Sequence, residues 1–170
     1  MSGLWDARIG GPSVRPPQPA SVSEQGYQNS WQVSSGGNRY RRSLYTWVQR
    51  TSPFAMHITF DAPNPNQICT RRERSNTPLQ ALTLLNGPFF FEAAGALAQQ
   101  SANAEPDDER ARIHYLYQRV LSRPPTVDEL SVLLELINQL RADANSDADQ
   151  DPWPVVCSVL LNLHEFVTRG

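Results

Sequence analysis

The densest set of side chains able to do chemistry is Arg71-Arg72-Glu73-Arg74-Ser75-Asn76-Thr77. Its three guanidinium groups stand directly before Thr77-Pro78-Leu79-Gln80, which combines an N-cap threonine, a proline at the first helical position and a glutamine placed to close a capping box. A helix starting there would offer unpaired backbone N–H groups and the positive end of its dipole, so cations and helix would favour the same anion. Arginine's planar fork suits carboxylate, phosphate and sulfate groups. Together with the upstream pair at Arg41 and Arg42, the candidate anion-binding residues are Arg41, Arg42, Arg71, Arg72, Arg74, Asn76 and Thr77. The competing role for the same arginines is structural: pairing with Asp61, or with acids later in the chain, to pin an irregular arm to a helical body.

A second constellation is His57, Asp61 and Cys69. A carboxylate beside a histidine can orient the imidazole for acid–base work, and a thiol could serve a hydrolytic or redox reaction. Asp61 in Phe60-Asp61-Ala62-Pro63 reads equally as a turn former that bonds the following backbone. No catalytic residue is assigned on this basis. His57, Cys69, Cys157 and His164 show no ligand spacing of the kind that zinc or covalent haem requires. The alternating oxygen-bearing residues Asp143, Asn145, Asp147, Asp149 and Asp151 resemble the opening of a calcium loop, but Ala148 replaces the turn glycine and Pro154 stands where the bidentate glutamate belongs. No metal or cofactor site is therefore expected in this chain.

These motifs sit in a chain of 170 residues with net charge −2, in which all 15 basic residues are arginine and lysine is absent. The charge is unevenly distributed. Residues 1–78 hold nine arginines against four acids, a net charge of +5, whereas residues 79–170 hold six against 13, a net charge of −7. Arginines interleave with Tyr40, Tyr45 and Trp47 as in some nucleic-acid binders, but an isoelectric point near 5.9 argues against a nucleic-acid partner. No stretch approaches the roughly 18 apolar residues of a membrane span, and the first residues lack the basic and apolar regions of a signal peptide.

The elements that must position these groups fall into two parts. Residues 1–76 read as an irregular arm rich in glycine and proline, carrying Leu4, Trp5, Ile9, Val14, Tyr27, Trp31 and Val33, more apolar side chains than a free linker needs. Within it, Arg41 to Arg50 reads as a short helix and Met56 to Phe60 as an extended segment. Residues 77–170 read as a bundle of about five helices: one from Thr77, one after Asn86-Gly87-Pro88, one after Pro106, one opened by the capping box Thr126-Val127-Asp128-Glu129, and one after Pro152. The inward stripe expected on the last comprises Val155, Val156, Val159, Leu160, Leu163, Phe166 and Val167. The fold class expected is thus mainly α, an arm packed on a helical bundle, the two together making one partial domain.

Several ordered segments resemble the Planctomycete-type PSD domain, a domain of unknown function at the C-terminal end of large proteins that often carry a planctomycete cytochrome c module. They are Ile9-Gly10-Gly11-Pro12-Ser13-Val14, Tyr40-Arg41-Arg42-Ser43-Leu44-Tyr45-Thr46, Phe60-Asp61-Ala62-Pro63, Cys69-Thr70-Arg71-Arg72, Asn76-Thr77-Pro78-Leu79-Gln80-Ala81-Leu82, Leu121-Ser122-Arg123-Pro124-Pro125-Thr126 and Leu161-Asn162-Leu163-His164-Glu165-Phe166. The resemblance implies an exported protein of the periplasm or cell envelope, associated with polysaccharide utilisation or redox modules, and carries no catalytic residues with it. The family's domain extends upstream of Ile9, so this chain is expected to be the C-terminal portion of such a protein, a gene fragment or truncated copy. Haem would belong to a cytochrome module and not to these residues. The expected function is a non-catalytic anion- or partner-binding or structural module, with upstream domains of the same protein and an anionic glycan as candidate partners. The alternative is part of a hydrolase or redox enzyme with its site near His57, Asp61 and Cys69.

Overall fold

Each strong helix start in the sequence is realised in the computed structural model, which describes residues 2–18, 31–50, 52–72, 74–143 and 151–168. Among the described residues the helices are α1 (Ala55–Thr59), α2 (Pro78–Asn86), α3 (Pro88–Ala104), α4 (Glu109–Leu121), α5 (Val127–Asp143), α6 (Trp153–Leu161) and α7 (His164–Val167). Two 3-10 turns, Gly36–Tyr40 and Ser43–Tyr45, precede them, and no strand forms among the described residues. The protein is mainly helical. It divides into two compact units, one of Leu4–Thr83 and one of Leu84–Gly170 with the first three residues.

In the helical unit the capping box expected at Thr126 forms, and α4, expected after Pro106, has a cap that no motif in its sequence marked. Asp108 caps α4 by accepting from the backbone N–H groups of Arg110 at 2.8 Å and Ala111 at 3.1 Å. At α5 the Thr126 N–H donates to Glu129 Oε2 at 2.7 Å and the Glu129 N–H to Thr126 Oγ1 at 3.3 Å, a reciprocal capping box. The buried core takes Ala94, Leu97 and Ala98 from α3, Ile113, Leu116, Tyr117 and Val120 from α4, and Leu133 and Ile137 from α5. Trp153, Val156, Cys157, Leu160 and Leu161 of α6 complete it. Each large aliphatic group buried in this way contributes about 1.5–3 kcal/mol. Burial also pushes the Cys157 thiol up to about 12, so it stays protonated and acts as a small apolar group.

The inward face of α6 differs from the expected stripe. Val155, Val159 and Val167 are 45%, 39% and 46% exposed, while Trp153, Cys157 and Leu161 point inward. The sequence Trp153-Pro154-Val155-Val156-Cys157-Ser158-Val159-Leu160-Leu161 is apolar on every side, so periodicity alone leaves its orientation open. A break at Asn162, before α7, also prevents the single long stripe that reached Val167.

The turn between α4 and α5 carries a charged junction. Arg123 donates from Nη1 at 2.9 Å and Nη2 at 2.7 Å to Glu129 of α5, and from Nε at 2.8 Å and Nη2 at 2.7 Å to Glu165 of α7. Its guanidinium lies over the Tyr117 ring. The hydrogen bonds from Arg123 hold Glu129 down at about 2, from an ordinary 4.5. A carboxylate whose folded-state pKa is depressed contributes stability that is complete above its unfolded pKa and is lost as pH falls through the folded one. The contribution of this junction to stability should therefore hold level above pH 4.5 and decline from there toward pH 2. Urea midpoints measured along that interval check this, and Arg123→Gln should flatten the decline.

The other unit is built around paired extended segments instead of an arm helix. Val14 donates to the Tyr45 carbonyl and Trp47 to the Val14 carbonyl, both at 2.8 Å, forming a parallel bridge between Val14 and Thr46. A second parallel bridge joins Asp6 and Arg41. The helix expected over Arg41 to Arg50 is accordingly only the 3-10 turn Ser43–Tyr45, because the backbone groups beyond it bond across to Val14. Conversely, the extended segment expected over Met56 to Phe60 is the helix α1. Its position is fixed by Phe54, stacked on Trp31 with centroids 5.4 Å apart and planes within 5°. Trp31 donates from Nε1 to the Pro16 carbonyl at 2.9 Å, which satisfies its polar end inside this small core. Tyr27, counted among the arm's apolar groups, lies outside the described residues.

Candidate functional site

All seven candidate anion-binding residues lie in the unit Leu4–Thr83, and their surroundings sort them into two groups. Arg41 is buried. Its guanidinium donates to the carbonyls of Arg8 at 2.9 Å, Gly10 at 2.5 Å and Pro12 at 3.2 Å, and lies 3.8 Å from the Tyr45 ring centroid. Gly10 and Gly11, with φ of 79° and 91°, adopt the left-handed backbone that turns this loop around the guanidinium. Arg72 is spent in a similar way, donating from Nε to the Asp61 carbonyl at 2.9 Å and from Nη2 to the Phe60 carbonyl at 2.7 Å. Those carbonyls end α1, so Arg72 serves as its C-terminal cap.

Arg42, Arg71 and Arg74 are exposed, and among the described residues no hydrogen bond or ion pair engages their side chains. Asn76 is exposed too. Thr77 caps α2 as its sequence requires: its N–H donates to Gln80 Oε1 at 3.2 Å and its Oγ1 accepts from the Gln80 N–H at 3.3 Å.

The approach to α2 already contains an anion. Asp61 Oδ2 accepts from the Ser75 N–H and Ser75 Oγ, both at 2.7 Å, and from Gln80 Nε2 at 3.4 Å. The side-chain and then the backbone hydrogen bond from Ser75 hold the carboxyl below the ordinary aspartate range. Asp61 itself takes φ of 54°, a left-handed conformation that aspartate tolerates better than most residues. The buried Gln80 amide adds bonds to the Thr59 carbonyl at 2.9 Å and Ser75 Oγ at 3.0 Å, tying α1, Asp61 and α2 into one junction. Gln80's place at the centre of this network was visible in the sequence only as the capping-box glutamine.

His57, Asp61 and Cys69 are not joined by hydrogen bonds among the described residues. His57 sits in α1, edge-on to Phe54 with centroids 5.2 Å apart. Burial, aided by the nearby Arg72 cation, holds its pKa below the ordinary value, so the ring is neutral near pH 7. Cys69 is exposed in the loop that follows. Among the described residues no cluster of three histidine, cysteine or carboxylate groups could hold a metal ion. Of the alternating acids, Asp147 and Asp149 lie outside the described residues. Two further arginines, Arg112 and Arg123, form side-chain networks in the helical unit; Arg123 lies in the Leu121–Thr126 segment singled out in the sequence, though with no role assigned to it, and Arg112 lies in no motif.

The family model described as PSD1, protein of unknown function (DUF1553), matches residues 1–137. No curated protein and no solved structure matches the chain. With the greater part of its length matched, the chain belongs to the PSD1 family.

Proposed function

We propose that this member of the PSD1 family is a non-catalytic module that binds an anionic partner through Arg42, Arg71 and Arg74. One observation carries the reading: these three guanidinium groups are exposed and engaged by no partner among the described residues, whereas Arg41 and Arg72 are consumed by backbone carbonyls. Exposed, unpaired arginines add charge at a surface without the competing partner that would weaken a ligand's hold. A binding role is favoured over a hydrolytic or redox one because the Asp61 carboxylate is already bonded to Ser75 and Gln80 while His57 packs on Phe54. The partner chemistry is a sulfated or carboxylated glycan, or an acidic surface on another domain of the same polypeptide. The setting we propose is extracytoplasmic, beside modules for polysaccharide utilisation or redox work.

Titration with a heparin-like polymer and with an uncharged glycan tests this. The wild type should bind the sulfated polymer alone, and Arg71→Ala/Arg74→Ala should weaken that binding about tenfold or more, more steeply at low salt. Equal and negligible binding by wild type and variant would overturn the reading.

A further inference from the structure

We infer that the surface running from Ile68 to Leu82 docks on a membrane face rich in anionic lipid headgroups. The first observation is an inversion of burial in α2. Gln80 is 8% exposed and bonded inward, whereas Leu79 and Leu82, three residues apart and hence on one helical face, are 60% and 55% exposed. Ile68, in the preceding loop, is 95% exposed. The second observation is the charge pattern. From Ser75 to Phe91 there is no ionisable side chain, and just before this stretch, within Arg71-Arg72-Glu73-Arg74, stand Arg71 and Arg74, exposed and without a hydrogen-bond or ion-pair partner among the described residues.

An apolar helix face that carries no charge, bordered at one end by free guanidinium groups, is the pattern of a segment lying in the plane of a lipid interface. The leucines enter the boundary with the acyl chains and the arginines reach headgroup phosphates. Among the described residues no single helix is long and apolar enough to cross a membrane; α2 and α3 pass that test only as a pair bent by 52°, and α3 buries Ala94, Leu97, Ala98 and Ser101 inside the protein, so the contact inferred is peripheral. A soluble polyanion would use the arginines and leave the leucines in water. A lipid surface uses both. The inference rests on the anion-binding reading for its arginines, and the leucines separate the two.

The test uses the full chain with vesicles of zwitterionic lipid alone and with vesicles containing about 30% anionic phospholipid. The wild type should float with the anionic vesicles and not with the zwitterionic ones. Arg71→Glu/Arg74→Glu should lower that affinity by about 30-fold or more. Leu79→Ser/Leu82→Ser should lower it by about tenfold while leaving binding to the heparin-like polymer unchanged. Both leucines are on the surface, so the fold should persist, and circular dichroism checks it. A measurement on the unsubstituted protein stands beside the variants: an environment-sensitive dye on Cys69, next to Ile68, should shift to the blue on anionic vesicles alone. Cys157 is buried and should not label. Polymer binding without vesicle binding overturns the membrane inference and leaves the anion reading standing; loss of both overturns both. Leucine variants that bind vesicles as the wild type does also overturn it.

Discussion

Arg112→Ala is expected to destabilise the helical unit by roughly 3 kcal/mol, more than any surface substitution discussed above. Arg112 of α4 is buried, donating from Nε to Ser101 Oγ at 2.8 Å and from Nη2 to the Ala98 carbonyl at 2.9 Å, both on α3. Its guanidinium also stacks 3.8 Å from the Trp153 ring centroid, at the start of α6. One side chain therefore joins three helices. Desolvation lowers its pKa, but an arginine so placed remains a cation, and the Trp153 face together with two oxygen acceptors replaces the water it gives up. Truncation removes two charge-assisted hydrogen bonds and leaves a gap beside Trp153. Arg112→Met keeps the apolar stem and should recover about half of the loss. Urea denaturation followed by tryptophan fluorescence measures both variants. Equal midpoints for wild type and Arg112→Ala would show that the network contributes nothing to stability.

Arg41→Ala is expected to cost the unit Leu4–Thr83 roughly 2–3 kcal/mol. Three carbonyls, those of Arg8, Gly10 and Pro12, share this guanidinium, and no backbone ladder is available to replace it in a glycine turn. Without the cation those carbonyls must turn to water, and the loop opens. Arg41→Lys should rescue less than half, because a single ammonium lacks the fork that reaches three acceptors. Hydrogen exchange at Val14 and Trp47, whose amides close the adjacent bridge, reports the change directly. Faster exchange at both in Arg41→Ala, with the helical unit unchanged, is the expected result.

These two arginines also mark where sequence reasoning stops. Helix starts were readable because their signals are local: Thr77 and Gln80, or Thr126 and Glu129, are three residues apart and bond to each other. The carbonyls that occupy Arg41 are 29 to 33 residues away, and Ser101, which occupies Arg112, is eleven away on another helix. Composition cannot separate such an arginine from the exposed Arg42 next to Arg41. The same limit explains α1. Alternating apolar residues from Met56 to Phe60 suggest an extended segment, but the position of Phe54 is set by Trp31, 23 residues earlier. For the candidate site, the order of residues shows cations preceding the helix start but not the internal anion that bonds to Ser75 there. Asp61 reaches Ser75 across fourteen residues from a left-handed backbone conformation, and no spacing rule encodes that.

The tie between Asp61 and Ser75, reinforced by Arg72, has an evolutionary corollary. A loop whose two ends are fastened at one point loses little when its length changes, since doubling it adds only about 0.6 kcal/mol of closure entropy. Residues 63–71 are exposed throughout, so no buried partner restricts what they may become. Insertions and sequence drift can accumulate between the fastened ends while the fastening itself stays fixed, which lets descendants of this chain alter what the loop presents without rebuilding what holds it.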